Sequence, residues 1–515
     1  MFVRRKRNKS GSTTVVVVDK SSGRFKPIRI LGTSSKADQI ERLFRDGLEW
    51  VHNYGGQMDL FRSKDEELEE EKATEQVLSN IENILINGAH LILDYVFRQV
   101  GFDVIGDKIL KELVIARLCQ PLSKSGTVDY LKSYFDEDVE LHQIYRYLDK
   151  LHNTQQDKIQ QISVEHTRKL LGGNIGLVFY DVTTLYFESD YGDELREKGY
   201  SKDGKHSQPQ VVLGLLVSSG GYPLSYSLFN GSQYEGYTML PVVEDFVQRF
   251  HLEDFVIVAD SGLMNQKNIE LLESGSYKYI IGAKIKNESA DIKSWILSLK
   301  KQNGTFYEIR KSGTCRLIVG YTENRAKKDA CNREKGVRRL TKAYSRGSIT
   351  KENINKRGYN KFLELSDNVK VKINKQKILE DSQWDGLKGY ITNTDLCAET
   401  VYKQYRDLWF IERAYRVTKG TLQMRPMFHF TPKRIEAHVC ICFVAYKVYK
   451  ELERVLKQSE IPLSVDKVLN IAKTITTVRV KLPKSKKTLS KTMVLTSRHR
   501  QVAPLLNEKF WQNYP

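Results

Sequence analysis

Gly172-Gly173-Asn174-Ile175-Gly176-Leu177-Val178-Phe179-Tyr180-Asp181 is the stretch on which the fold turns. From Val77 to Leu171 apolar residues recur at helical intervals, through Ile81–Val100, Lys108–Leu118, Thr127–Tyr134 and Leu141–Leu151, which predicts an all-helical block. At Ile175 the period changes. Ile175–Tyr180 is a continuous apolar run with β-branched and aromatic character behind a Gly-Gly pair, and it predicts a buried strand. It ends on Asp181, an acid that is costly to bury in ionised form unless it meets a partner such as a metal ion.

Working downstream, Gln210–Val217 and Pro223–Phe229 flank the Gly-rich turn Ser218–Tyr222 and predict a hairpin. Tyr237–Phe250 has helical spacing, Asp254–Ala259 reads as a second buried strand, Asn265–Glu273 as a helix and Tyr277–Ala283 as a fifth strand, so the order is βββαβαβ. Residues 284–383 break this rhythm, being rich in Lys, Arg, Asn and Gln, with strand-like Thr305–Ile309 and Cys315–Tyr321 and a basic helical stretch near Ala326–Tyr344. They are expected to be an insertion. Gly386–Thr392 returns to strand character, and Asp395–Lys419 and Lys433–Leu456 are expected to be two long helices.

The expected division is 1–65, a small basic unit with strands at Val15–Val18 and Pro27–Leu31 and a helix at Lys36–Val51; 75–171, helical, either a DNA-binding module or a scaffold; 172–283, the first part of an α/β core; 284–383, the insertion; 384–456, the rest of the core; and 457–515, a basic region with Lys481, Lys484, Lys486, Lys487 and Lys491. The glutamate-rich run Asp65–Thr74 reads as a solvated linker or helix face.

Composition bounds the partners. The chain has 515 residues, 40% hydrophobic and 28% charged, enough apolar material for several packed units. Lys and Arg exceed Asp and Glu by 82 to 63, and the net charge of +19 favours polyanions such as nucleic acid. The longest apolar runs are far shorter than a membrane span requires. Arg4, Arg5, Lys6, Arg7 and Lys9 are followed by no apolar segment, so an intracellular, cytoplasmic protein is expected rather than a secreted one. Six cysteines without a C-x-x-C pair argue against a disulfide framework or zinc ribbon; Cys440 and Cys442 read as core packing. No phosphate-binding G-x-x-x-x-G-K-[ST] loop occurs, so ATP is not expected.

Asp260 ends the run Phe255–Ala259 as Asp181 ends its own, and the turn Ser261-Gly262 keeps it at the sheet's edge. Either aspartate alone is equally a turn or N-cap residue. On the long helix, Tyr405, Glu412 and Lys419 follow at seven-residue spacing, close to two turns, so they share a face that Arg416 and Leu408 border. Glu–Arg pairs at this spacing also occur on solvated helices. Two strand-end aspartates and a helical glutamate are hard oxygen donors of the type that suits two Mg²⁺ or Mn²⁺ ions, and two such ions can activate an attacking oxygen and stabilise a leaving one in phosphodiester cleavage. Nearby cations, among them Arg416, Lys202, Lys205 and Arg425, then supply DNA contacts to phosphate. His206 reads as a loop residue near the phosphate or plain surface, Asp203 as an acid behind the metal ligands or plain surface, and His438 as a core histidine rather than one that orients the glutamate helix.

These residues resemble the DDE insertion-sequence transposases marked by Tyr-x2-Arg-x3-Glu-x6-Lys. Tyr405, Glu412 and Lys419 stand at that spacing, with Leu408 where the family has arginine. Tyr180-Asp181-Val182-Thr183-Thr184, Gly199-Tyr200-Ser201-Lys202-Asp203-Gly204-Lys205, Ala259-Asp260-Ser261-Gly262, Arg425-Pro426 and Arg434-Ile435 with His438 are similar to motifs of one branch, in the right order over roughly 75–450. The resemblance implies a ribonuclease H-like core with a β-rich insertion, which the helical block read from periodicity precedes. Asp181, Asp260 and Glu412 would be the catalytic metal ligands, Tyr405 and Lys419 would contact phosphates near the cleaved end, and Arg406 or Arg416 are the cations that could stand in for the missing arginine. It further implies an enzyme that cuts the terminal inverted repeats of its own element, joins the 3′ ends to target DNA, and works as a homodimer when paired on two ends. The alternatives are a nuclease of the same fold without strand transfer and a catalytically inactive DNA-binding protein.

Overall fold

In a computed structural model of the chain, the described residues are 1–54, 60–189, 191–201, 204–252, 254–263, 265–350, 353–355, 358–366, 370–425 and 427–514. Lys202, Asp203 and Pro426 lie outside them. The chain divides into Met1–Ile84 with Val478–Lys491, and Leu85–Thr477 with Thr492–Pro515. This differs from the expected boundary at 65, because part of the C-terminal region returns to the first unit.

In the first unit the strands Phe2–Arg7, Thr13–Asp19 and Lys26–Ser34 form an antiparallel sheet, and Ala37–Asn53 forms a helix. Val3, Val15 and Val17 alternate onto one face of that sheet and are buried with Leu31, Leu43 and Phe44. The acidic run lies within the helix Leu60–Leu78.

The second unit opens with helices Gly88–Val100, Lys108–Cys119, Lys124–Phe135, Leu141–Thr154 and Gln156–Leu170. One helical expectation is overturned. Ile81–Leu85 is a strand, since its β-branched residues find a partner in Thr476–Lys481, a pairing that local periodicity cannot see. The helix begins only at Gly88, where an added Cβ would strike Ala472 and Ile475.

The catalytic-type sheet follows in the order read from the sequence. Leu177–Tyr186, Pro209–Ser218 and Pro223–Asn230 form an antiparallel meander; after the helix Met239–Phe250, Val256–Ala259 runs parallel to the first strand, and after Gln266–Ser274, Lys278–Ala283 runs parallel to Val256–Ala259. Counted along the chain, these five strands lie in the order third, second, first, fourth, fifth, the arrangement that a ribonuclease H-like core requires. The hairpin turn uses Gly220 at φ +82° and Gly221 at φ +80°, backbone that a side chain would strain.

The insertion is mixed rather than β-rich. Phe306–Ser312 and Cys315–Tyr321 pair with each other, and Cys315–Tyr321 pairs with Leu387–Thr392, which borders Lys278–Ala283, so these strands extend the core sheet. The longest insertion element is the helix Glu323–Ser345, whose Ala, Arg, Lys and Glu residues favour helix. The 27-residue helix Pro432–Gln458 is buried along most of its length and includes Cys440 and Cys442, both at 0% exposure. No described helix is long and apolar enough to cross a membrane.

Candidate active site

Strand alternation aims the first acid. Val178, Tyr180 and Val182 point into one core, with Val212, Ile257 and Phe246. Phe179, Leu185 and Phe187 point into the other, with Tyr405, Leu408, Ile411 and Tyr415. Asp181 shares the parity of Phe179, so it faces the helices that follow Leu387–Thr392. Asp181 does not end its strand, as the sequence suggested; the strand continues to Tyr186 because Pro209–Ser218 pairs with it throughout. What ends near Asp181 is the parallel ladder to the fourth strand, whose last pair is Tyr180 with Ala259. Asp181 and Asp260 therefore follow at the same level on neighbouring strands, spaced about 4.8 Å apart in a sheet.

The third acid comes from a helix that is not continuous. The expected run Asp395–Lys419 is a helix Ala398–Arg406, a helix Trp409–Arg416 and a π-helical turn Val417–Thr421. Across Asp407–Leu408 the hydrogen bonds tighten to i→i−3, with Leu408 N–H donating to Tyr405, Phe410 N–H to Asp407 and Ile411 N–H to Leu408. This rotates Glu412 relative to Tyr405, and the π turn displaces Lys419, so the three do not occupy one ideal face. Tyr415 locks the second helix to the sheet by donating to the Asp181 carbonyl at 2.7 Å and the Leu213 carbonyl at 3.2 Å.

Asp181, Asp260 and Glu412 all line one cleft of about 490 Å³. Asp260 and Glu412 are exposed within it. Tyr405 is buried, at 5% exposure, and its hydroxyl donates to Asp260 Oδ1 at 2.7 Å. Burial, then the neighbouring charge of Asp260, pushes the phenol far above its ordinary range, so it stays a donor. The Tyr405 ring packs edge-on against Tyr390 at 4.9 Å, and Lys388 Nζ sits 4.3 Å from the Tyr405 ring centroid. Burial and repulsion from Arg325 pull the Lys388 ammonium down, while Asp260 and Glu412 pull it up.

Cations on the cleft wall are Arg325, Lys328, Lys388 and Arg406. Arg406 is one of the two substitutes named for the missing arginine; Arg416 is exposed and does not line the cleft. Leu408 lines it as an apolar wall at 8% exposure, beside Trp409, which is 46% exposed. Lys419, Lys205 and Arg425 are also not on this wall. Lys205 and Arg425 approach the ring of Tyr186 instead, at 5.5 and 5.8 Å. His206 Nδ1 accepts from the Ser201 N–H at 3.2 Å, and His438 is buried. Arg325, Lys328 and Lys388 had no local signal, because they enter from the insertion helix and the last core strand.

The donor chemistry fits divalent ions, with three carboxylates on one cleft and no ion pair closing on Asp260 or Glu412 among the described residues. Among those residues no three His, Cys, Asp or Glu side chains stand close enough to form a shared ligand group. The acids share a cleft without a closed coordination shell.

No curated protein matches the sequence. Among solved structures, a piggyBac transposase synaptic complex with hairpin DNA is similar at 10% identity over 82% of this chain and 72% of that one, with a TM-score of 0.37. A Mos1 transposase paired-end complex with the left transposon end is similar at 11% identity over 34% and 58%, with a TM-score of 0.16. A family model described as Transposase DDE domain matches residues 173–447. That match covers more than half of the sequence and contains Asp181, Asp260 and Glu412, and the chain belongs to the transposase DDE domain family.

Proposed function

We propose that the chain binds the terminal inverted repeats of its own element, hydrolyses the phosphodiester at each end and joins the freed 3′ ends to target DNA. The observation that carries this reading is the convergence of Asp181, Asp260 and Glu412, from three distant segments, on one cleft that Arg325, Lys328, Lys388 and Arg406 also line. Asp181, Asp260 and Glu412 would hold Mg²⁺ or Mn²⁺, which when bound supplies activation of the attacking oxygen and stabilisation of the leaving oxygen. Tyr405 orients Asp260 through its hydroxyl. Lys388, Arg325 and Arg406 neutralise the phosphates brought beside the acids, and Trp409, 46% exposed, provides the apolar surface against which the DNA end rests. Water is the nucleophile for cleavage and the 3′-hydroxyl for joining. Pairing two ends calls for a dimer. The charge of +19 favours DNA binding that weakens steeply with salt.

The test is cleavage of labelled DNA carrying the sequence that flanks this gene, with Mg²⁺ or with EDTA. Wild type should cut at the element boundary only with metal and yield joined products, while Asp181→Ala, Asp260→Ala and Glu412→Gln bind ends without cutting. Cutting without joined products would replace the reading by a nuclease, and binding without cutting by wild type would replace it by a non-catalytic binder.

A further inference from the structure

The helices ahead of the core carry a second cationic cavity, of about 370 Å³, lined by Arg117, Ser123 and Lys124 and by Arg425, His429 and His438. Arg117 is 7% exposed and Lys124 6%. Buried cations are ordinarily paired with carboxylates. Among the described residues no Asp or Glu lines the cavity. Arg117 donates to the Leu122 carbonyl at 3.3 Å, and Lys124 has no hydrogen bond or ion pair among the described residues. Acids on the neighbouring helices are engaged elsewhere, Asp149 by Arg434 and Glu436 by His152.

Helix Lys124–Phe135 starts at this cavity, with Ser123 Oγ accepting from the Gly126 N–H at 3.1 Å, so its positive dipole end adds to the two side-chain charges. The His429 and His438 rings lie 5.1 Å apart. Burial, then Lys124 and Arg117, pushes His429 down to about 3 and His438 well below its ordinary value. Burial and Arg117 bring Lys124 down to about 7. Arg117 and Lys124 are thus left without a carboxylate among the described residues that line the cavity.

Its position favours one source of anion. The loop that carries Arg425 and His429 is tied to the strand of Asp181: Met427 bridges Phe187, and its N–H donates to the Tyr186 carbonyl at 3.3 Å. Tyr186 stands five residues beyond Asp181 on that strand, about 17 Å at ~3.4 Å per residue, which a DNA strand covers in about five steps of 3.4 Å. Phe428, 63% exposed, lines the same cavity and offers a sugar or base an apolar face.

We propose that this cavity seats one backbone phosphate of the DNA on which the chain acts, with Arg117 and Lys124 as its ligands and the N-terminus of helix Lys124–Phe135 as a third donor group. The proposal rests on the transposase reading.

The experiment measures binding of a labelled duplex carrying the flanking terminal sequence to the full chain in EDTA, as a function of salt. The double variant Lys124→Met with Arg117→Met should lower the slope of log K against log salt by about 0.9, the loss of one phosphate contact, each single variant should lower it by part of that, and Lys124→Arg should leave it at the wild-type value. Ethylation of a single phosphate should interfere with wild type and not with Lys124→Met. Replacing a buried charge by an apolar side chain keeps the fold, read as an unchanged or raised melting temperature. Unchanged slopes in folded variants would overturn the proposal. Inorganic phosphate that binds wild type and not the variants, with DNA slopes unaltered, would overturn it in favour of a small phosphate ligand. Metal-dependent cutting by wild type, measured in parallel, reports separately on the transposase reading: its absence with the slope change intact would sink that reading and leave the phosphate cavity standing.

Discussion

Tyr405→Phe separates two roles for one hydroxyl. The resemblance assigns Tyr405 to a DNA phosphate, whereas the structure spends its O–H on Asp260 at 2.7 Å and buries its ring to 5% exposure. Removing the hydroxyl deletes a hydrogen bond to a carboxylate and leaves the ring packing in place. Such bonds contribute about 1.5–3 kcal/mol; Asp260 is exposed, so water replaces part of the loss and the lower end applies, about 1.5 kcal/mol or roughly tenfold. That is also the range seen when partners of metal ligands are removed, about 10–100-fold. The assay titrates Mg²⁺ against cleavage rate at saturating end DNA and measures DNA affinity against salt in EDTA. The half-saturating Mg²⁺ concentration should rise about tenfold, with DNA affinity and its salt slope unchanged. A fall of about 0.9 in the slope with an unaltered metal requirement would refute the positioning role and restore the phosphate contact.

Further outcomes follow from the same geometry. Gly282→Ala places a Cβ against the Tyr405 hydroxyl and 3.0 Å from the Ser261 nitrogen; it should raise the metal requirement as Tyr405→Phe does and, through overpacking, cost about 1–3 kcal/mol of stability, with a double mutant less than additive. Lys388→Met removes a cation held near Asp260 and Glu412; the half-saturating Mg²⁺ concentration should fall while end binding weakens, and a raised metal requirement would contradict this. Lys447 is fully buried and burial brings it from 10.5 down to about 7. Below pH 7 both folded and unfolded states hold its proton and its contribution is at its lowest; between pH 7 and 10.5 only the unfolded state holds it, so stability rises by about 5 kcal/mol across that window. Lys447→Met should therefore be more stable than wild type at pH 7, with the difference closing towards pH 10.5, since Thr167 still donates to the Ser163 carbonyl; a melting-temperature difference that grows with pH would refute it.

The cleft also accounts for the absent arginine. Leu408 stands at the point where the helix tightens and is only 8% exposed, so a cation in its place would be largely buried. Positive charge is supplied from other segments, by Arg406 just before the break, by Lys388 on the neighbouring strand and by Arg325 on the insertion helix.

Much of the core was legible because its strands are buried on both faces and punctuated by glycine: Ile175–Tyr180 and Asp254–Ala259 are apolar runs whatever surrounds them, and each delivers its acid by chain order alone. Elements whose pairing is distant were not. Ile81–Leu85 became a strand through a C-terminal partner, and the strands of 284–383 joined the main sheet through Leu387–Thr392. Equal seven-residue spacing suggested one face for Tyr405, Glu412 and Lys419, but spacing has meaning only while the helix is unbroken, and the hydrogen bonds tighten at Asp407–Leu408.

The sequence by itself determined which groups are available for chemistry, the order in which they arrive and the alternation that turns Asp181 towards the glutamate helix. Only the tertiary structure decided that Tyr405 donates to Asp260, that Arg325 and Lys388 join the acids in one cleft and that Arg117 and Lys124 line one cavity with no acid among the described residues. Those are relations between segments far apart in the chain, set by which surfaces bury together, and the local spacing of residues carries no record of them.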